Sequence, residues 1–126
     1  PFHPLFGAMP RTPLALELQI TKEYLGFSTH LVYLGPLFEE VLRAKPDGAT
    51  VARHVQAMAG VANIGTDRNW SGSHFDPANW YAFGRMAWDP GLNSADAARE
   101  WVQQTFTTAP RAVDGIVSMM LVIGMM

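Results

Sequence analysis

The chain has 126 residues, 48% of them hydrophobic, with 9 basic and 11 acidic residues and a net charge of −2. That size and composition suit one globular domain or a portion of a larger one. The charge is too balanced for a nucleic-acid partner, and the absence of cysteine excludes disulfides, thiolate metal sites and thiol nucleophiles.

Residues 1–13 hold four prolines and two phenylalanines and read as an irregular lead-in packed through Phe2, Leu5 and Phe6. They lack the basic stretch and apolar run of a signal peptide and read as the interior of a longer protein. Residues 14–21 alternate at period two, which predicts a strand. Leu16, Leu18 and Ile20 share one parity; Glu17, Gln19, Thr21 and Glu23 share the other. Gly26 marks a turn. Gly35-Pro36 opens a helix, since proline costs nothing where the N–H is unpaired anyway. Glu39 and Glu40 sit near the helix start, Leu37, Phe38, Val41 and Leu42 give its apolar face, and Lys45-Pro46-Asp47-Gly48 ends it.

Residues 57–65, AMAGVANIG, are small and apolar and read as a short buried strand, though periodicity alone leaves a helix open. A polar and aromatic loop follows, TDRNWSGSHFDPANW. Asp76-Pro77 reads as an N-cap with proline in the first turn, ahead of Trp80, Phe83, Ala87 and Trp88 at helical spacing. Ser94 is expected to cap the next helix, with Ala98, Trp101, Val102 and Phe106 facing inward. Thr108 or Pro110 opens a last helix, whose end, GIVSMMLVIGMM, has no charge. A spanning helix needs roughly 18 or more apolar residues, so this run reads as a buried helix. Strand, helix, strand implies parallel strands, and the later helices imply a second unit: residues 1–75 and 76–126.

Two candidate sites stand out. The polar parity of the first strand is either the wet face of an edge strand or the lining of a barrel, with Glu23 at the carboxyl end where catalytic groups sit and Glu17 deeper as a supporting carboxylate. The loop from Asn63 to His74, with Asp67, Arg68 and Trp70, is either tethered by its own hydrogen bonds or a sugar site that joins an aromatic platform to planar polar groups. His3, His30, His54 and His74 show no ligand spacing, so no metal is expected. WSGSHF is not a nucleophile elbow.

Two long stretches carry a family resemblance. PFHPLFGAMPRTPLALELQITKEYLGFSTHLVYLGPLFEEVL resembles the end of the catalytic domain of xylan α-glucuronidases, glycoside hydrolase family 67, and AGVANIGTDRNWSGSHFDPANWYAFGRMAWDP resembles the same family's passage into its helical C-terminal domain. The resemblance implies an α/β fold: a fragment of a (β/α)8 TIM barrel followed by part of an all-α domain. It implies inverting hydrolysis of the α-1,2 bond between (4-O-methyl)glucuronic acid and the terminal xylose of xylo-oligosaccharides, without metal or cofactor. The family's ITxEY motif falls on Ile20-Thr21-Lys22-Glu23-Tyr24, which implies that Glu23 is the general base; Glu17 matches a secondary glutamate.

There are departures. The family's general acid and a water-positioning aspartate lie outside these 126 residues, the stretch from Ala44 to Gln56 is shorter than in the family, and the apolar tail does not follow its pattern. The expectation is a fragment inactive alone, with acidic xylo-oligosaccharide as partner, no nucleic acid and no membrane. A homodimer of the parent and a cytoplasmic location, with secretion as the alternative, complete it. The competing reading is a small non-catalytic carbohydrate-binding or assembly module.

Overall fold

Two strands, β1 (Leu14–Gln19) and β2 (Val55–Val61), pair in parallel in a computed structural model that describes residues 12–21, 31–46 and 48–124. Between them run the helix α1 (Gly35–Arg43) and the four-residue α2 (Val51–His54); after them come α3 (Pro77–Trp88), α4 (Ser94–Thr105) and α5 (Pro110–Gly124). The expected lead-in contacts of Phe2, Leu5 and Phe6, the turn at Gly26 and the base Glu23 lie outside the described residues. The expected parallel strand–helix–strand unit and the helical run are present. Among the described residues the sheet has two strands, which does not show the barrel that the expected fragment would belong to.

Parity decides the two faces of the sheet. Leu16 pairs with Met58 and Leu18 with Gly60, and this face, with Ile20 and Ala62, packs on the helices. Gly60 suits the close approach there: a Cβ would meet the Phe83 ring at 3.0 Å and the Ile20 side chain at 3.2 Å, so both would have to give way. The other face carries Ala15, Glu17, Ala57, Ala59 and Val61, all exposed. The buried strand expected at 57–65 is displaced to 55–61 and holds no buried residue: Val55 and Met58 are half-buried and the rest is exposed among the described residues.

The core runs without a break from Ile20, Tyr33, Leu34, Phe38 and Leu42 through Ala82 and Met86 to Trp101, Val102, Val113, Val117 and Met120. In α1 the buried residues are Gly35, Phe38 and Leu42, at helical spacing, while Leu37 faces solvent, contrary to expectation. In α3 the buried stripe is Ala78, Asn79, Ala82 and Met86. Ala87 is exposed and Trp88 is 88% exposed, so the large aromatics there mark the flank and end of the helix rather than its buried face. Phe106, expected inside, is half exposed, although its ring touches Phe75 and Trp101. The stretch Ala44–Gln56 holds α2, which runs directly into β2. The apolar end of α5 turns Val117 and Met120 inward and Met119 and Val122 outward. No helix among the described residues is long and apolar enough to cross a membrane.

Polar contacts join α1 to α3 and α4. The Tyr33 hydroxyl, buried, donates to the Ser94 carbonyl at 2.7 Å. The Ser94 N–H donates to Glu39 Oε2 at 2.7 Å, and Glu39 also pairs with Arg43. Ser94 thus sits in the first turn of α4, and Asn93 is its cap, accepting from the Asp96 N–H at 2.8 Å. The Tyr33 ring folds back over Gly35, where a Cβ would lie 2.4–2.7 Å from ring atoms.

Because Tyr33 is held at its hydroxyl, the ring cannot swing clear of an added methyl. Gly35→Ala should therefore destabilise the chain by about 1–3 kcal/mol, as overpacking does, seen as a lower urea midpoint. Burial works against the charge of Glu39, but its hydrogen bonds from Ser94 and its pairing with Arg43 outweigh this and hold the carboxyl below the usual glutamate value. A carboxyl depressed in the folded state contributes stability that is complete above its unfolded pKa and is lost as pH falls through its folded pKa. Stability should decline on acidification through and below the ordinary glutamate range. Glu39→Gln should be less stable than the parent at neutral pH and converge with it in acid, as urea unfolding at a series of pH values would read.

Candidate functional site

Parallel pairing puts the carboxyl ends of both strands on one edge of the sheet. The last pair is Gln19 with Val61, and the Ile20 N–H donates to the Val61 carbonyl at 3.0 Å. From this edge β1 continues to Thr21, two residues short of Glu23, and β2 continues into residues 62–76. Exposure falls along the polar parity of β1: Glu17 is exposed, Gln19 half-buried and Thr21 5% exposed. Gln19 Nε2 donates to Thr21 Oγ1 at 3.2 Å.

The loop after β2 is built on its own hydrogen bonds. The Asp67 carboxylate accepts from the Asn69 N–H at 2.9 Å, an Asx turn. The Ser71 N–H donates to the Ile64 carbonyl at 3.2 Å and the Gly72 N–H to the Asn69 carbonyl at 2.9 Å, closing a single 3-10 turn, Trp70–Gly72. Ser73 Oγ accepts from both the Phe75 and Asp76 N–H groups at 3.1 Å. Ser73 thus takes the capping role expected of Asp76, whose backbone is already helical.

Tethering and exposure therefore coexist. Asn63, Asp67 and Arg68 are exposed, and Trp70 is 51% exposed rather than packed in a core. Its ring rests at 61° against Trp80, with centroids 5.3 Å apart. The Trp80 indole nitrogen is shielded from solvent and meets no acceptor among the described residues. The loop thus gathers four of the expected ligand residues, Asn63, Asp67, Arg68 and Trp70. Glu17 stands apart: it pairs with Ala59, four residues before Asn63, about 13 Å along a strand. Among the described residues no group of three His, Asp or Glu side chains could hold a metal ion.

Sequence reading missed Asn79, which the fold places behind this edge. Its Oδ1 accepts from the Leu34 N–H at 2.8 Å and its Nδ2 donates to the Val32 carbonyl at 3.0 Å. One signal was available: asparagine is a poor helix former, and here it sits in line with the small apolar residues of α3.

Trp70 is aimed by the left-handed backbone of Ser71, with φ of 66°. A β-branched residue is strongly disfavoured there. Ser71→Val should cost about 1–2 kcal/mol and change the exposure of Trp70, whereas Ser71→Gly should not be destabilising. Thermal unfolding followed by tryptophan fluorescence would show both.

Residues 1–70 match the glycosyl hydrolase family 67 middle domain and residues 71–123 match the glycosyl hydrolase family 67 C-terminus. The chain is 40% identical over 132 residues to a probable alpha-glucuronidase A of Neosartorya fischeri and to alpha-glucuronidase A of Emericella nidulans. It is 38% identical over 134 residues to an alpha-glucuronidase of Hypocrea jecorina. These alignments cover 94–96% of this chain and 16% of each relative. On the strength of both domain matches, the chain belongs to glycosyl hydrolase family 67.

Proposed function

We propose that this chain is the base-bearing part of an α-glucuronidase barrel together with the start of its helical C-terminal domain, the two meeting near residues 75 and 76. The reaction is inverting hydrolysis of the α-1,2 bond between (4-O-methyl)glucuronic acid and the terminal xylose of xylo-oligosaccharides. Glu23 takes a proton from water as that water attacks the anomeric carbon. A carboxylic acid from outside these residues protonates the leaving xylose oxygen. Inverting enzymes hold the two carboxyl groups about 6.5–9.5 Å apart to admit the water.

One observation carries this reading. The register brings the carboxyl ends of β1 and β2 to one edge, so the Glu23 segment and the Asn63–Trp70 loop leave the sheet together. On this reading the exposed face with Glu17 lines the barrel, and the face covered by α1 and α3 is its outside. Trp70 offers a ring for a sugar to stack on, and Arg68 a fork suited to the uronic carboxylate. The half-exposed Trp70 also supports the narrower alternative of a carbohydrate-binding module without catalysis.

Two measurements separate these. The 126-residue chain should release no glucuronic acid from aldouronic oligosaccharides, since it lacks the acid. The alpha-glucuronidase A of Emericella nidulans, carrying this chain in place of its matching segment, should release it, and Glu23→Ala there should lower kcat by about 10²–10⁴-fold. Undiminished turnover by that variant would remove Glu23 from the mechanism. Saturable binding by the 126 residues, with no turnover in the chimera, would favour the binding module.

A further inference from the structure

The two family segments meet between residues 70 and 71, but the packing does not divide there. Phe38 of α1, fully buried, meets the Phe83 ring of α3 edge-on, with centroids 5.8 Å apart and planes at 84°. The same ring stands so close to Gly60 of β2 that a Cβ there would meet it at 3.0 Å. One side chain of α3 thus reaches both the sheet and α1. The polar groups of the earlier segment are met from the same side. Asn79 of α3 pairs the Leu34 N–H and the Val32 carbonyl. The start of α4 accepts from the Tyr33 hydroxyl and donates to Glu39.

The earlier segment has little to hold it otherwise. A lone pair of strands is marginal in water, and α1, with nine residues, is shorter than the roughly 12–15 an isolated helix needs. Taking the later helices away would bare Tyr33, Leu34, Phe38 and Leu42 together. We infer that residues 71–123 are the obligatory cover of the strand–helix–strand part, so that in this chain both family segments fold as one cooperative unit. A division into 1–75 and 76–126 would instead give each part its own core and its own stability.

Trp70, Trp80, Trp88 and Trp101 are the chain's four tryptophans, so fluorescence reads the later segment. The Ile20 amide, bonded to the Val61 carbonyl, reads the sheet. In the 126-residue chain, native-state hydrogen exchange with rising urea should bring the Ile20 amide and the Val102 amide of α4 onto one common opening. Met120→Ala removes a buried side chain of α5, which packs on α4 and α1. It should speed exchange at both amides by about 30-fold or more. In the opposite direction, Leu18→Ala in β1 should lower the urea midpoint read by tryptophan fluorescence. Exchange at Ile20 unmoved by Met120→Ala, or a fluorescence midpoint unmoved by Leu18→Ala, overturns the inference. Should Met120→Ala fail to fold, the unsubstituted chain still decides: two amides that keep separate openings up to the unfolding transition mean two units.

Discussion

Two parallel strands cannot be joined by a tight turn; the chain must leave one carboxyl end, cross over a face and return to the far end. In this protein that requirement makes α1 lie on the sheet, and it commits one face to apolar cover. Leu16, Leu18, Ile20, Met58 and Ala62 supply that face. The requirement also sends two long connections out from one edge, residues 20–34 and 62–76, and both contain the residues with chemistry to offer.

The helices after the second connection are joined to the earlier chain by polar bonds as well as apolar contact. Asn79 grips the main chain beside Tyr33, Tyr33 grips the start of α4, and the start of α4 is held by Glu39 of α1. These bonds run between segments 45–61 residues apart in sequence. Each is worth little net, about 0.5–1.5 kcal/mol, but each costs more when half of it is removed. Apolar packing alone tolerates sliding and repacking. A buried carboxamide with two partners, or a phenol with one, at 2.7–3.0 Å does not, so these contacts set the register by direction rather than by area.

Much of this was readable from residues. The alternation in LALELQIT gave β1 and its two faces, because a half-covered strand has to alternate. Gly35-Pro36 and Pro77 opened helices where proline is harmless. What escaped was decided by neighbours. Leu37 and Trp88 are apolar and at helical spacing, yet both are exposed among the described residues. Asp76 looked like a cap, but Ser73, three residues earlier, reaches both N–H groups first. Ser94 looked like a cap as well, but Asn93 is better placed and Ser94 is occupied with Glu39 and Tyr33. The partners of Asn79 could not be read, since they are backbone groups of residues 32 and 34, which carry no sequence signature.

The proposed reading gives the open face of the sheet its sense. A lone strand pair with Ala15, Glu17, Ala57 and Ala59 turned to water is a poor place to end a core, and also a poor surface for self-association, having a carboxylate among small side chains. Placed in a barrel, the same face would need small residues where the wall is crowded and polar ones where substrate and water must be met, and that is the gradient along β1 and β2. Alanines lie level with Glu17, while Gln19, Thr21 and the polar loop lie toward the carboxyl edge.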